Sequence, residues 1–107
     1  MAPTTSAPDP GGAVDGVLQE LERVLVRRRR DPPPGSYSAA LIADPELTQR
    51  KLMEESFELC LELGRVTADG DRVAEEAADV VFHVLAALVG AGVPLEAVLA
   101  RLRERRR

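Results

Sequence analysis

The stretch Asp71-Arg72-Val73-Ala74-Glu75-Glu76-Ala77-Ala78-Asp79-Val80-Val81-Phe82-His83-Val84-Leu85-Ala86-Ala87-Leu88-Val89-Gly90 decides the fold. It predicts one long helix, with Asp71 as its N-cap and Gly90 at its end. From Val80 to Val89 the residues are apolar nearly all round, so this helix belongs at the centre of a bundle or at an oligomer interface. Its first half is different in kind. Glu75, Glu76, Asp79 and His83 recur at three and four, which places them on one face.

Upstream of it, Gly64 to Gly70 reads as a turn, and Pro45 to Gly64 as a second long helix opened by Asp44-Pro45. That helix carries Glu54, Glu55, Glu58 and Glu62 at the same spacings. Its apolar residues Leu52, Phe57, Leu59, Leu61 and Leu63 are not confined to one stripe, which predicts neighbours on more than one side. Nearer the N-terminus, Val17, Leu18, Leu21, Val24 and Leu25 form one stripe, so a helix is expected from about Asp15 to Arg30. Asp31-Pro32-Pro33-Pro34-Gly35 stops it. Ser36 is placed to cap a short helix through Leu41 and Ile42. Beyond Gly90-Ala91-Gly92, Pro94 sits near N1 of a last helix whose stripe is Leu95, Val98, Leu99 and Leu102.

No strand pattern competes, so the fold class is all-α: a bundle of four or five helices with short connections. Residues 14–107 form the domain, and residues 1–13, rich in Pro, Gly, Ser and Thr, are expected to be a disordered tail. A chain of 107 residues is one domain with a modest core. The apolar central helix in so small a chain predicts a homodimer or larger homo-oligomer.

Composition excludes several classes of function. A formal net charge of −4 argues against nucleic acid as a partner. Arg27 to Arg30, and Arg101, Arg103, Arg105, Arg106 and Arg107, stand at helix ends, where the dipole favours cations; contact with an anionic ligand is the other reading. The single cysteine, Cys60, excludes an internal disulfide and a cysteine zinc cluster, and its leucine neighbours suggest a core or interface position. Nothing approaches a membrane span or a secretory signal, so the expected location is cytoplasmic, with no membrane partner.

The chemistry lies in the acidic pairs. Glu55 with Glu58, and Glu76 with Asp79, each project from one helix face, and a short turn makes the two helices antiparallel neighbours. Four unpaired carboxylates around one point repel each other. A hard divalent cation such as Mg²⁺ relieves that repulsion and also binds phosphates. The competing reading is a set of surface ion pairs, because Lys51, Arg50 and Arg72 lie four residues before Glu55, Glu54 and Glu76. Glu58 and Asp79 have no such partner, and Asp79 borders an apolar run, where an unpaired carboxylate is costly. His83 reads first as a packed, hydrogen-bonded core residue, since Mg²⁺ rarely takes imidazole. The hydroxyls of Tyr37, Ser38 and Ser56 form no hydrolase constellation, and no glycine loop cradles phosphate.

The run Arg50-Lys51-Leu52-Met53-Glu54-Glu55-Ser56-Phe57-Glu58, followed by Ala74-Glu75-Glu76-Ala77-Ala78-Asp79-Val80-Val81-Phe82-His83, resembles phosphoribosyl-ATP pyrophosphohydrolase of histidine biosynthesis. That family sits within the all-α, MazG-like nucleotide pyrophosphohydrolases, marked by E-x-x-E on one helix and E-x-x-D on the next. Gly35-Ser36-Tyr37-Ser38 is similar to the family's S-Y-T segment, and Gly92 to Val98 to its last turn and helix. Met53 replaces the glycine of the family's V-G-E-E. The resemblance implies a MazG-like fold completed by homodimerisation. It also implies Mg²⁺-dependent attack of water at the α,β-phosphoanhydride of a small-molecule nucleotide, phosphoribosyl-ATP, giving phosphoribosyl-AMP and pyrophosphate. Glu55, Glu58, Glu76 and Asp79 are the expected metal ligands, for one ion or two. Glu54, Glu55 and Glu58 are the expected catalytic carboxylates, with Glu54 as ligand or base, and Arg50 and Lys51 the expected phosphate contacts. A house-cleaning nucleoside triphosphate pyrophosphohydrolase and a non-catalytic helical interaction module are the two alternatives.

Overall fold

The computed structural model describes residues 10–106, with side chains from Gly16 onward. Among these residues there are five helices and no strand: α1 (Pro10–Arg30), α2 (Tyr37–Ala43), α3 (Pro45–Leu63), α4 (Gly70–Ala91) and α5 (Leu95–Arg105). Residues 1–9 of the expected tail lie outside the described chain. The all-α reading holds, and two helix starts differ from expectation.

Helix α1 opens at Pro10 and not near Asp15. Residues 10–13 fall within the expected tail, but a proline at the first helical position gives up an N–H that has no intrahelical acceptor anyway. Helix α4 is capped by Asp69, not Asp71: the Asp69 carboxylate accepts from the Asp71 backbone N–H at 3.0 Å. Asp71 falls in the first turn, where its charge faces the positive end of the dipole. The other caps follow the sequence. Ser36 accepts from Ala39 N–H, and Asp44 from Leu47 N–H, each at 3.1 Å. Gly92 adopts the left-handed conformation at φ +75, and Val93 N–H reaches back to the Leu88 carbonyl at 2.9 Å, closing α4 in a Schellman turn.

Distant side chains also reach two helix ends. The Arg29 guanidinium donates to the Val89 carbonyl of α4 at 2.8 Å. Pro94 offers no capping group to α5, and the Glu22 carboxylate accepts from Leu95 N–H at 2.8 Å in its place.

Helix α4 packs against α1, α2 and α3, as its apolar circumference requires. The core is Leu25, Leu41, Ile42, Leu85, Ala86, Val89 and Leu95. At Gly90 the backbones of α2 and α4 come so close that an added Cβ would stand 3.1 Å from the Ile42 carbonyl oxygen. The α3–α4 hairpin is antiparallel: Glu62 meets Arg72 near the turn, while Glu55 meets Glu76 and Asp79 farther out.

Helix α3 contributes little to that core. Met53, Phe57 and Leu61, spaced four apart, are exposed, and on α4 so are Val81 and Val84. Phe57 alone is 62% exposed. Among the described residues α3 packs chiefly against α4 and, less closely, α2. Cys60 is exposed and lies outside the core. No single described helix is long and apolar enough to cross a membrane.

Candidate active site

The α3–α4 hairpin brings one carboxylate oxygen each from Glu55, Glu76 and Asp79 within 4.8 Å of one another. Glu55 and Glu76 are half-buried and Asp79 is exposed. The Oε2 atom of Glu76 is buried and has no hydrogen-bond partner among the described residues. Burial first, then the charges of Glu58, Asp79 and Glu55, push the Glu76 carboxyl above the usual carboxylate range. Glu58 is exposed and stands outside the group of three, although its charge is the foremost one acting on Glu76.

None of the three surface pairs suggested by spacing forms among the described residues, and two of the three cations take other partners. Lys51 bonds Glu54 at 3.2 Å, three residues on, and not Glu55. Among the described residues no ion pair joins Arg50 to Glu54. Arg72 turns away from Glu76 to Glu62 at 3.3 Å, and Arg65 joins it there at 2.9 Å. Glu62 is only 5% exposed, and these two guanidiniums, Arg65 foremost, hold its carboxyl below the usual range. Glu62 thus locks the hairpin near its turn. With Arg72 so engaged, Glu76 keeps no basic partner.

His83 is buried at 5% exposure and fully occupied. Its Nδ1 lies 2.7 Å from the Asp79 carbonyl, which can only accept, so Nδ1 carries the proton. Its Nε2 then accepts from the Tyr37 hydroxyl at 2.8 Å. Tyr37, Phe82 and His83 also pack ring against ring. The expected role of His83 as a bonded core residue stands. This Tyr37–His83–Asp79 link was not foreseen, since Tyr37 and His83 are 46 positions apart and no periodicity connects them.

The donor set is all oxygen. Carboxylates at this spacing, one of them buried without a donor, suit a hard divalent cation, and the imidazole nearby has no free nitrogen to offer.

Comparison with known proteins gives the family. The family model described as phosphoribosyl-ATP pyrophosphohydrolase matches residues 18–106. A phosphoribosyl-ATP pyrophosphatase of Methylobacterium nodulans is 40% identical over 89 residues, covering 82% of this chain and 81% of its own. One from Halobacterium salinarum is 38% identical over 91 residues, covering 83% of this chain and 96% of its own. A histidine biosynthesis bifunctional protein of Schizosaccharomyces pombe is 36% identical over 91 residues, 85% of this chain and 20% of that much longer protein.

Proposed function

The chain belongs to the phosphoribosyl-ATP pyrophosphohydrolase family, and from that premise we propose that it hydrolyses phosphoribosyl-ATP to phosphoribosyl-AMP and pyrophosphate in histidine biosynthesis. The observation that carries the site assignment is the buried, unpartnered Glu76 Oε2, with Glu55 and Asp79 oxygens beside it. A carboxylate stripped of water and given no donor is costly unless a cation takes the place of both.

Glu55, Glu76 and Asp79 would hold Mg²⁺, with Glu58 completing the set from its exposed position. The ion, when bound, supplies charge neutralisation on the phosphate oxygens and a lowered pKa for attacking water. This chain's residues do the rest. Glu58, at the rim of that set and outside the group of three, would be the ligand least committed to the ion and so the one left to accept a proton. Glu54 is engaged by Lys51, which leaves it the weaker candidate for base. Lys51 and the exposed Arg50, one turn before Glu55 and Glu54, offer cationic donors to the phosphate oxygens. The Tyr37–His83 link ties α2 to the α4 backbone at Asp79.

A second copy of the chain is proposed to cover the exposed Met53, Phe57 and Leu61 stripe, and the working compartment to be the cytoplasm. The decisive assay is pyrophosphate release with Mg²⁺ present. Asp79→Asn and Glu58→Gln should each lose that activity while circular dichroism stays helical, and wild-type turnover in Asp79→Asn would refute the site. Comparing phosphoribosyl-ATP with free nucleoside triphosphates separates this reading from that of a general nucleotide pyrophosphohydrolase.

A further inference from the structure

The α3–α4 hairpin leaves a second concavity unused. It is a cleft of about 470 Å³ between α1, the proline turn and α2, with Leu25, Pro33 and Phe82 among its walls. Its polar lining is Arg28, Ser36, Tyr37 and Ser38, with no carboxylate among the lining residues.

Arg28 is half-buried, and its Nη1 donates to Ser38 Oγ at 3.0 Å. Among the described residues no carboxylate pairs with it. Ser36 Oγ accepts from Ala39 N–H and lies 3.1 Å from Ser38 Oγ. The two hydroxyls share one hydrogen bond, so one hydroxyl proton remains to be given outward, alongside the guanidinium N–H groups that Ser38 does not use. A partly desolvated guanidinium with spare donors and no counter-charge favours an anion, and its planar fork matches a phosphate.

Tyr37 joins this cleft to the acidic cluster. It lines the cleft and stacks near Phe82 at 6.4 Å, while its hydroxyl bonds His83 one turn from Asp79. Burial foremost raises its phenol above the usual range, and the charges of Lys51, Glu55 and Asp79 also reach it.

Phosphoribosyl-ATP has two anionic ends. Its triphosphate needs a cation to sit among carboxylates, whereas the phosphomonoester of its second ribose needs donors from the protein. We propose that the Arg28 cleft receives this phosphomonoester, with Arg28 and the Ser36–Ser38 hydroxyls as its donors. The inference rests on the function proposed above and makes Arg28 the residue that tells phosphoribosyl-ATP from ATP.

Steady-state kinetics with Mg²⁺, using ribose 5-phosphate as probe, test it. Arg28→Met should raise KM for phosphoribosyl-ATP about tenfold to a hundredfold with kcat changed less than about threefold, the signature of a lost binding contact. Arg28→Lys should fall between, keeping the charge and losing the fork. Ribose 5-phosphate should inhibit the wild type competitively and Arg28→Met hardly at all. Because the Arg28–Ser38 bond also ties α1 to α2, melting temperatures are measured alongside. A merely structural role would lower stability and kcat together and leave inhibition of the folded enzyme intact, which overturns the proposal. So does an Arg28→Met enzyme whose KM and inhibition match the wild type. A wild type that releases no pyrophosphate from phosphoribosyl-ATP strikes the function instead. Calorimetry with ribose 5-phosphate then judges the cleft, and equal binding by wild type and Arg28→Met, or none by either, overturns it.

Discussion

Glu76 is where folding and function pull apart. Its carboxyl is raised above the ordinary 4.5 by burial and by four neighbouring acids, so the folded state holds the proton more tightly than the unfolded chain does. Below that ordinary value both states are protonated and nothing is lost. As pH climbs from there through the raised folded pKa, the fold loses stability, and above it the loss is complete. Glu76→Gln removes the ionisation and keeps the shape. In EDTA at pH 7 it should melt higher than the wild type, and the gap should close as pH is brought below 4.5. With Mg²⁺ the order reverses, because the wild type alone gains from ion binding, and pyrophosphate release by Glu76→Gln should fall about a hundredfold or more. Melting curves at several pH values, with and without Mg²⁺, check the three stability outcomes, and a pyrophosphate assay checks the fourth.

The residue scale also shows where sequence reading stops. The spacing of Glu55, Glu58, Glu76 and Asp79 was visible as a pattern, and the structure sets three of them together. The choice of partners was not visible. Arg72 is four residues before Glu76, yet it bonds Glu62 across the turn, because a buried carboxylate gains more from a guanidinium than a helix neighbour does. Nor does any local rule pair Tyr37 with His83 or Arg28 with Ser38, since such contacts exist only after the helices have docked.

Among the elements, α4 was the most legible, because Val80 to Val89, apolar at nine of ten positions, require a helix covered nearly all round. Helix ends were less so: Asp69 and Asp71 are both good caps, and Pro10 is as acceptable inside a first turn as before it. The α2–α4 crossing is a detail only the packed elements reveal. Alanine at Gly90 gains about 1 kcal/mol of helix propensity, but its Cβ must face the Ile42 carbonyl at 3.1 Å, and backbone cannot rotate away as a side chain can. Gly90→Val should therefore lower the melting temperature by several degrees, and Gly90→Ala less, with α2 displaced. Wild-type stability in Gly90→Val would contradict this crossing. Removing the cap that α1 lends to α5, by Glu22→Ala, should cost about 1 kcal/mol in a denaturant titration.

At the scale of the whole molecule, the buried core is small, seven residues among those described, and one face of α3 is apolar and open. If a second copy covers the Met53, Phe57 and Leu61 stripe, the melting temperature rises with protein concentration. Phe57→Glu should then give a monomer by light scattering where the wild type gives a dimer. A wild-type monomer at micromolar concentration would remove the stripe from the interface.

The α3–α4 hairpin is pulled shut near its turn by Glu62 with Arg65 and Arg72, and pushed apart farther out by Glu55, Glu58, Glu76 and Asp79. Dissolved salt acts on the push across several ångströms, and a net charge of −4 adds to it. Raising the ionic strength with potassium chloride should thus firm the metal-free protein, the reverse of what a fold rich in attractive pairs would do. The same salt should loosen the grip on magnesium.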